Sequence, residues 1–180
     1  MIFQEGKVAG AFEIHLDPRS DERGFFARSW CQREFDKQGL NPKLVQCSIS
    51  YNPKRHTMRG MHYQAAPDAE AKVVRCTRGS IYDVLIDLRA ESPTFKEWLG
   101  VTLTAANRHM LYIPEGCAHG FLTLEDQTEV FYQMSEFYQA ESSRGVRWND
   151  PAFGIRWPAM PELISERDRT YPDFQCALIY

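Results

Sequence analysis

The feature that most constrains this chain is its punctuation. Glycine and proline recur at short intervals, at Gly24, Gly39, Pro53, Gly60, Pro67, Gly79, Pro93, Gly100, Pro114 and Gly120. Such residues end helices and start turns, which leaves room mainly for short extended segments. Those segments show period two. In SIYDVLIDLR, Tyr82, Val84, Ile86 and Leu88 share one face, while Ile81, Asp83, Leu85 and Asp87 share the other. TEVFYQMSEFY, WLGVTLTA and HMLYIP read the same way. Many short strands separated by turn signals predict a mainly β sandwich or barrel. REFDKQGL predicts one short helix and PELISERDR a second. With no internal repeat, low-complexity tract or long linker in its 180 residues, the chain reads as a single domain, 1–180.

Composition excludes several classes. A net charge of −3 and a pI near 6.0 leave no basic footprint for nucleic acid. A few local arginines would still suffice for an anionic small molecule. No run approaches the roughly 20 apolar residues of a membrane helix. MIFQEGKVAGAF carries charges where a signal peptide would have its apolar core. Cys31, Cys47, Cys76, Cys117 and Cys176 are odd in number and form no CxxC pair, which argues against a disulfide framework or a zinc knuckle. The expectation is a cytoplasmic protein with free, mostly buried thiols and no membrane partner.

One constellation suggests chemistry. Read as a strand, RGMHYQ places Gly60, His62 and Gln64 on one face and Arg59, Met61 and Tyr63 on the other. A hairpin into KVVRC would bring Lys72 beside His62. Alone, His62 reads as an ordinary half-buried histidine and Lys72 as a solvated edge lysine. Together, and with Arg59 near, they suggest a base among cations. PEGCAHGF supplies a Pro-x-Gly-x-x-His turn ending at His119, a recurrent signature of cupin barrels. In metal-binding cupins a His-x-His pair accompanies that histidine. Here the earlier strand reads His62, Tyr63, Gln64, and neither His15, His56 nor His109 falls in a ligand-like spacing, so the barrel reads as metal-free. His119 is then a substrate-side, supporting or purely structural histidine. Proton abstraction beside a ketone fits such residues: histidine as base, lysine facing the enolate oxygen, and a tyrosine such as Tyr132 returning a proton from the opposite side.

DERGFF (21–26), RGMHYQ (59–64), KVVRCTRGSIYDVLIDLR (72–89), SPTFKEW (92–98), YIPEGCAHGF (112–121), VFYQMSEFY (130–138) and RGVRWNDPAFGIRWP (144–158) resemble, in order and over nearly the whole chain, the dTDP-4-dehydrorhamnose 3,5-epimerase family. The resemblance implies a cupin-type jelly-roll barrel (a double-stranded β-helix) with a few short helices. It implies a homodimer exchanging N-terminal strands, no cofactor, and a nucleotide-diphospho-4-keto-6-deoxy sugar as substrate. Carried over by position, His62 resembles the base, Asp168 its paired carboxylate, Lys72 the enolate-stabilising cation and Tyr132 the acid. Arg23 and Arg59 resemble diphosphate and sugar contacts, for which a forked guanidinium is suited. Phe26, Gln46 and His119 fall at pocket-lining positions, and Tyr138 resembles an aromatic beside the nucleotide. The chain departs from the family pattern at Arg28, where a glutamate is common, and at Ser48, where an asparagine is common. Both belong to the expected recognition shell, so the identity of the sugar and base and the choice of C3, C5 or both stay open.

Bland readings apply elsewhere. Asp83 reads as a buried structural carboxylate, WNDP (148–151) as a turn anchored by Asp150, and Trp148 and Trp157 as core or interface residues. A 3,4-ketoisomerase of a related nucleotide sugar would use the same enolate, and a non-catalytic sugar-nucleotide-binding cupin would keep the arginines alone. Tyr132 favours epimerisation over the first, and the set of His62, Lys72, Tyr132 and Asp168 argues against the second.

Overall fold

The computed structural model describes residues 1–175, so Cys176 lies outside the described residues. The elements run β1 (Ile2–Glu5), β2 (Phe12–His15), β3 (Arg19–Asp21), β4 (Gly24–Phe26), α1 (Gln32–Lys37), β5 (Gln46–Asn52), β6 (Thr57–Gln64), β7 (Lys72–Arg78) and β8 (Ser80–Asp87). They continue with β9 (Trp98–Thr104), β10 (Met110–Ile113), β11 (Cys117–Thr123), β12 (Thr128–Met134), β13 (Ser143–Gly145), β14 (Leu163–Ile164) and α2 (Glu166–Arg169). Two antiparallel sheets result, ordered β1-β2-β10-β7-β12-β5 and β13-β6-β11-β8-β9, with β14 parallel beside β6. The chain passes repeatedly from one sheet to the other, making the expected jelly roll.

Period two decides what lies between the sheets. Ile81 and Leu85 of β8 meet Val74, Leu111, Phe121 and Val130 in the central core. The opposite face of β8 is not solvated: Val84, Ile86 and Leu88 are covered by Met61, Val146 and Phe153, with Tyr82 and Trp157 against them. Asp150 anchors this covering segment by accepting bonds from Ala152 N (2.8 Å) and Phe174 N (2.6 Å). Two buried faces explain why β8 is apolar on both sides.

On the outer face of the first sheet, α1 lays Phe35 onto Ile14, Val73, Met110 and Tyr112. The helix ends where the sequence places a glycine: Gly39 has φ +72°, its N–H bonds Asp36 O, and Leu40 N–H bonds Phe35 O. This is a Schellman closure, which requires the left-handed region that glycine enters freely. The helix expected over PELISERDR is shorter than its pattern suggested. Leu163 and Ile164 pair with Thr57 and Met58 as β14, and α2 begins only after Ser165, whose hydroxyl accepts from Asp168 N.

The hairpin expected between His62 and Lys72 does not form. β6 and β7 belong to different sheets, joined by the segment 65–71. The simple alternation within β6 also fails at Gly60. The β6–β11 register shifts between His119 and Phe121, and Gly60 sits at φ +119°. A Cβ on Gly60 would lie 2.4 Å from Gly120 Cα, so glycine is required where the two backbones touch. The irregularity brings Arg59 onto the same side as His62. The thiols are mixed rather than mostly buried: Cys76 and Cys117 are buried, Cys31 is partly covered and Cys47 is exposed.

Asp87, fully buried at the end of β8, ties down the loop before β9. It accepts from Arg89 Nε (2.8 Å), Ser92 Oγ (2.5 Å) and Thr94 Oγ1 (2.7 Å). Burial opposes its charge, but these bonds together hold the carboxyl below the ordinary carboxylate value. Its contribution to stability is therefore present at neutral pH and lost as pH falls through that lowered value. Asp87→Ala leaves buried donors unpaired and is expected to cost about 1–3 kcal/mol, read by urea unfolding at pH 7, with a smaller difference from wild type in strong acid.

Candidate active site

A cavity of about 760 Å³ opens between the sheets at one end of the barrel. That size suits a drug-sized or larger polar ligand. Strand register dictates its walls. On the first sheet, Tyr132 pairs with Ser48 and Val74, and Met134 with Gln46 and Lys72. Gln46, Ser48, Ser50, Lys72, Tyr132 and Met134 therefore share the inward face and all line the cavity. On the second sheet, His119 pairs with His62, and both line it together with Arg59. α2 closes one side with Arg167 and Asp168.

His62 Nε2 lies 2.6 Å from Asp168 Oδ1. Asp168 is 5 % exposed, while the imidazole stays open to the cavity. Burial alone would raise the Asp168 pKa. The bond from His62, helped by Gly60 N–H and Ser165, outweighs it and holds the carboxyl below its usual range. The dyad thus keeps a buried carboxylate ionised behind a ring whose other side faces the cavity, an arrangement suited to a general base.

Facing it from the other sheet is Tyr132. Burial pushes its phenol far above the ordinary tyrosine range, the Asp83 carboxylate adds to the effect, and Arg59 and Ser50 pull against it. The phenol is therefore protonated at neutral pH and available as a donor. Its ring meets His119 edge-on, with centroids 6.1 Å apart. His119 is 4 % exposed and its Nε2 lies 2.7 Å from Asp83 Oδ1, so Asp83 is a buried partner that fixes a cavity-lining histidine. Arg59 is steadied by its Nε donating to Asn52 Oδ1 at 2.7 Å. Tyr138 lies at the mouth, its N–H donating to Gln46 Oε1 at 3.3 Å.

Lys72 has a partner that sequence reasoning missed. Its Nζ lies 2.9 Å from Glu70 Oε1, and both side chains line the cavity. The two are separated by one residue in an extended run, which was the available signal. Arg167 and Ser50 were also missed. Arg167 stood inside ERDR, which reads as a charged surface turn until α2 is folded against the barrel.

Three expected contacts are not in this cavity. Arg23 and Phe26 sit on the β3–β4 hairpin, with the Arg23 side chain 83 % and Phe26 79 % exposed, and Arg23 pairs with its neighbour Asp21. Arg28 pairs with Glu34 of α1 at 3.0 Å. None of the three lines the cavity of its own chain.

Fold and cavity define a cupin-type jelly roll whose site is equipped for acid–base chemistry on a polar, anionic ligand. A sequence model of the dTDP-4-dehydrorhamnose 3,5-epimerase family matches residues 5–175. The chain is 43% identical over 169 residues to the dTDP-4-dehydrorhamnose 3,5-epimerase of Salmonella typhimurium, spanning 91% of each. Among solved structures it is similar to the dTDP-4-dehydrorhamnose 3,5-epimerase from Bacillus anthracis with TDP and PPi bound (TM-score 0.91, 38% identity, 96% of this chain and 99% of that one). It is also similar to ChmJ, a 3'-monoepimerase from Streptomyces bikiniensis in complex with dTDP-quinovose (TM-score 0.85, 30% identity, 95% of this chain and 86% of that one). The chain belongs to the dTDP-4-dehydrorhamnose 3,5-epimerase family.

The dyad makes one sharp expectation. Asp168→Asn preserves shape but removes the charge that supports a protonated His62. It should lower kcat by about 100- to 10,000-fold with KM little changed, measured by steady-state turnover. An unchanged kcat would remove Asp168 from the account.

Proposed function

We propose that this chain epimerises a nucleotide-diphospho-4-keto-6-deoxy sugar of the dTDP-4-dehydro-6-deoxyglucose type at C3 and C5, in the cytoplasm, as one domain and without a cofactor. The observation that carries this reading is the placement of His62 and Tyr132 on opposite sheets across one cavity, with Lys72 beside the second. His62 removes the proton next to the ketone, and Asp168 stabilises the imidazolium that forms. Lys72 meets the negative charge developing on the C4 oxygen, where a cation acts most strongly in the transition state. Tyr132 donates its phenolic proton to the carbanion carbon from the other face, which inverts the centre. The phenolate then regains a proton as His62 loses its own. A base and an acid on one face would return the original configuration, so the two-sheet arrangement favours epimerisation over ketone migration.

Arg59 and Arg167 supply fixed positive charge for the diphosphate, and Gln46, Ser48 and Tyr138 lie where sugar and base would enter. The proposed assembly is a homodimer in which each β3–β4 hairpin reaches the neighbouring barrel and delivers Arg23 and Phe26 to its cavity. The exposure of both residues supports this, as does the uncovered apolar face of β5 at Ile49 and Tyr51. Arg28, paired with Glu34, then shapes the root of that arm.

Kinetics on single variants test the roles. His62→Ala and Lys72→Ala should each reduce turnover of dTDP-4-keto-6-deoxyglucose by about 100-fold or more while dTDP binding, measured by calorimetry, stays close to wild type. Tyr132→Phe should keep solvent exchange of the sugar C–H but slow inversion at one or both carbons. Near wild-type turnover in any variant would remove that residue from its role.

A further inference from the structure

Away from the cavity, the first sheet brings together three donors that their sequence spacing conceals. In the β2–β10 pairing Ile14 faces Met110 and Glu13 faces Leu111, which places His15 opposite His109. Glu13 lies two residues before His15 and shares its face. The imidazoles stack with centroids 3.7 Å apart and planes inclined by 13°. His15 Nε2 lies 2.9 Å and His109 Nδ1 2.7 Å from the same oxygen, Glu13 Oε1. All three ligand atoms fall within 4.8 Å of one another, and each residue is only partly buried.

We propose that Glu13, His15 and His109 form a binding site for a divalent transition metal of the zinc, nickel or copper class, separate from the catalytic cavity. Three features support it. Two imidazole nitrogens and one carboxylate oxygen are the donor set such ions take, with solvent completing the shell. Glu13 and His15 stand on β2 and His109 immediately precedes β10, so the paired backbones already hold the donors together and only the stacked rings need turn to aim at one ion. Side chains a quarter exposed leave an ion a path in and room for water. The site stands at the root of the β3–β4 arm. His15 ends β2 just before the arm, and the neighbour of His109, Arg108, lies 4.8 Å over the ring of Phe25. A bound ion would clamp the arm's base to β10.

The test is titration of the purified, chelator-stripped protein with Co²⁺ followed by absorption, and competition by Zn²⁺. One equivalent per chain with a nitrogen–oxygen ligand-field spectrum is expected. His15→Phe and His109→Phe keep a stacked ring but remove a donor, and each should weaken binding by more than about 100-fold, beyond the loss typical of an outer-shell partner. Circular dichroism should show both variants folded. Failure to bind stoichiometrically, undiminished binding in both variants, or a thiolate charge-transfer band assigning the ion to cysteine would each overturn the proposal.

Discussion

The carboxylate of Asp168 is the point on which the site depends. It is buried, and its cost of burial is met by two bonds from one strand: His62 Nε2 on Oδ1 and the Gly60 N–H on Oδ2 at 3.3 Å. The second bond exists because β6 is irregular at Gly60. A regular strand would send Arg59 and His62 to opposite faces. The break at Gly60, made possible by its contact with Gly120, puts both on the cavity side. One local distortion thus supports His62, places the Arg59 cation on its side and docks the helix that carries Asp168.

The jelly roll supplies the rest of the geometry. Its two sheets face each other over an apolar core at one end and separate into a polar cavity at the other. Residues on inward positions of facing strands approach a ligand from opposite sides. His62 on β6 and Tyr132 on β12 therefore face one cavity from opposite sheets, with Lys72 on the adjacent strand β7, as the proposed inversion requires. Inversion of a stereocentre needs this separation, and a single loop or helix face would not provide it.

Much of this was legible in the sequence, for reasons that differ by element. β8, β9, β10 and β12 follow from alternation and turn residues because side-chain period two is a direct consequence of extended backbone. α1 follows from its apolar position at Phe35 and the glycine that ends it. His62, Lys72, Gln46, Ser48, Arg59, His119, Tyr132, Tyr138 and Asp168 were all marked, and the fold brings them together. What was not legible depends on long-range pairing. Glu70 carried only a weak signal, its one-residue separation from Lys72, and its meaning comes from their contact across the cavity wall. The parity of Arg59 was misread because the register shift belongs to β11 as much as to β6. His15 and His109 had no ligand-like spacing, since 94 positions separate them until β2 and β10 pair, and Glu13 was not weighed with them. Arg23, Phe26 and Arg28 were placed with the site, yet their own chain holds them apart from it.

In the proposed reaction His62 and Tyr132 exchange protons with a sugar carbon from opposite faces. Proton NMR in deuterated water addresses it most directly, using dTDP-4-keto-6-deoxyglucose and protein stripped with chelator. Deuterium at both C3 and C5 is expected together with signals of the inverted product. Product formed with its original C–H protons retained, or exchange that never yields an inverted sugar, would contradict it.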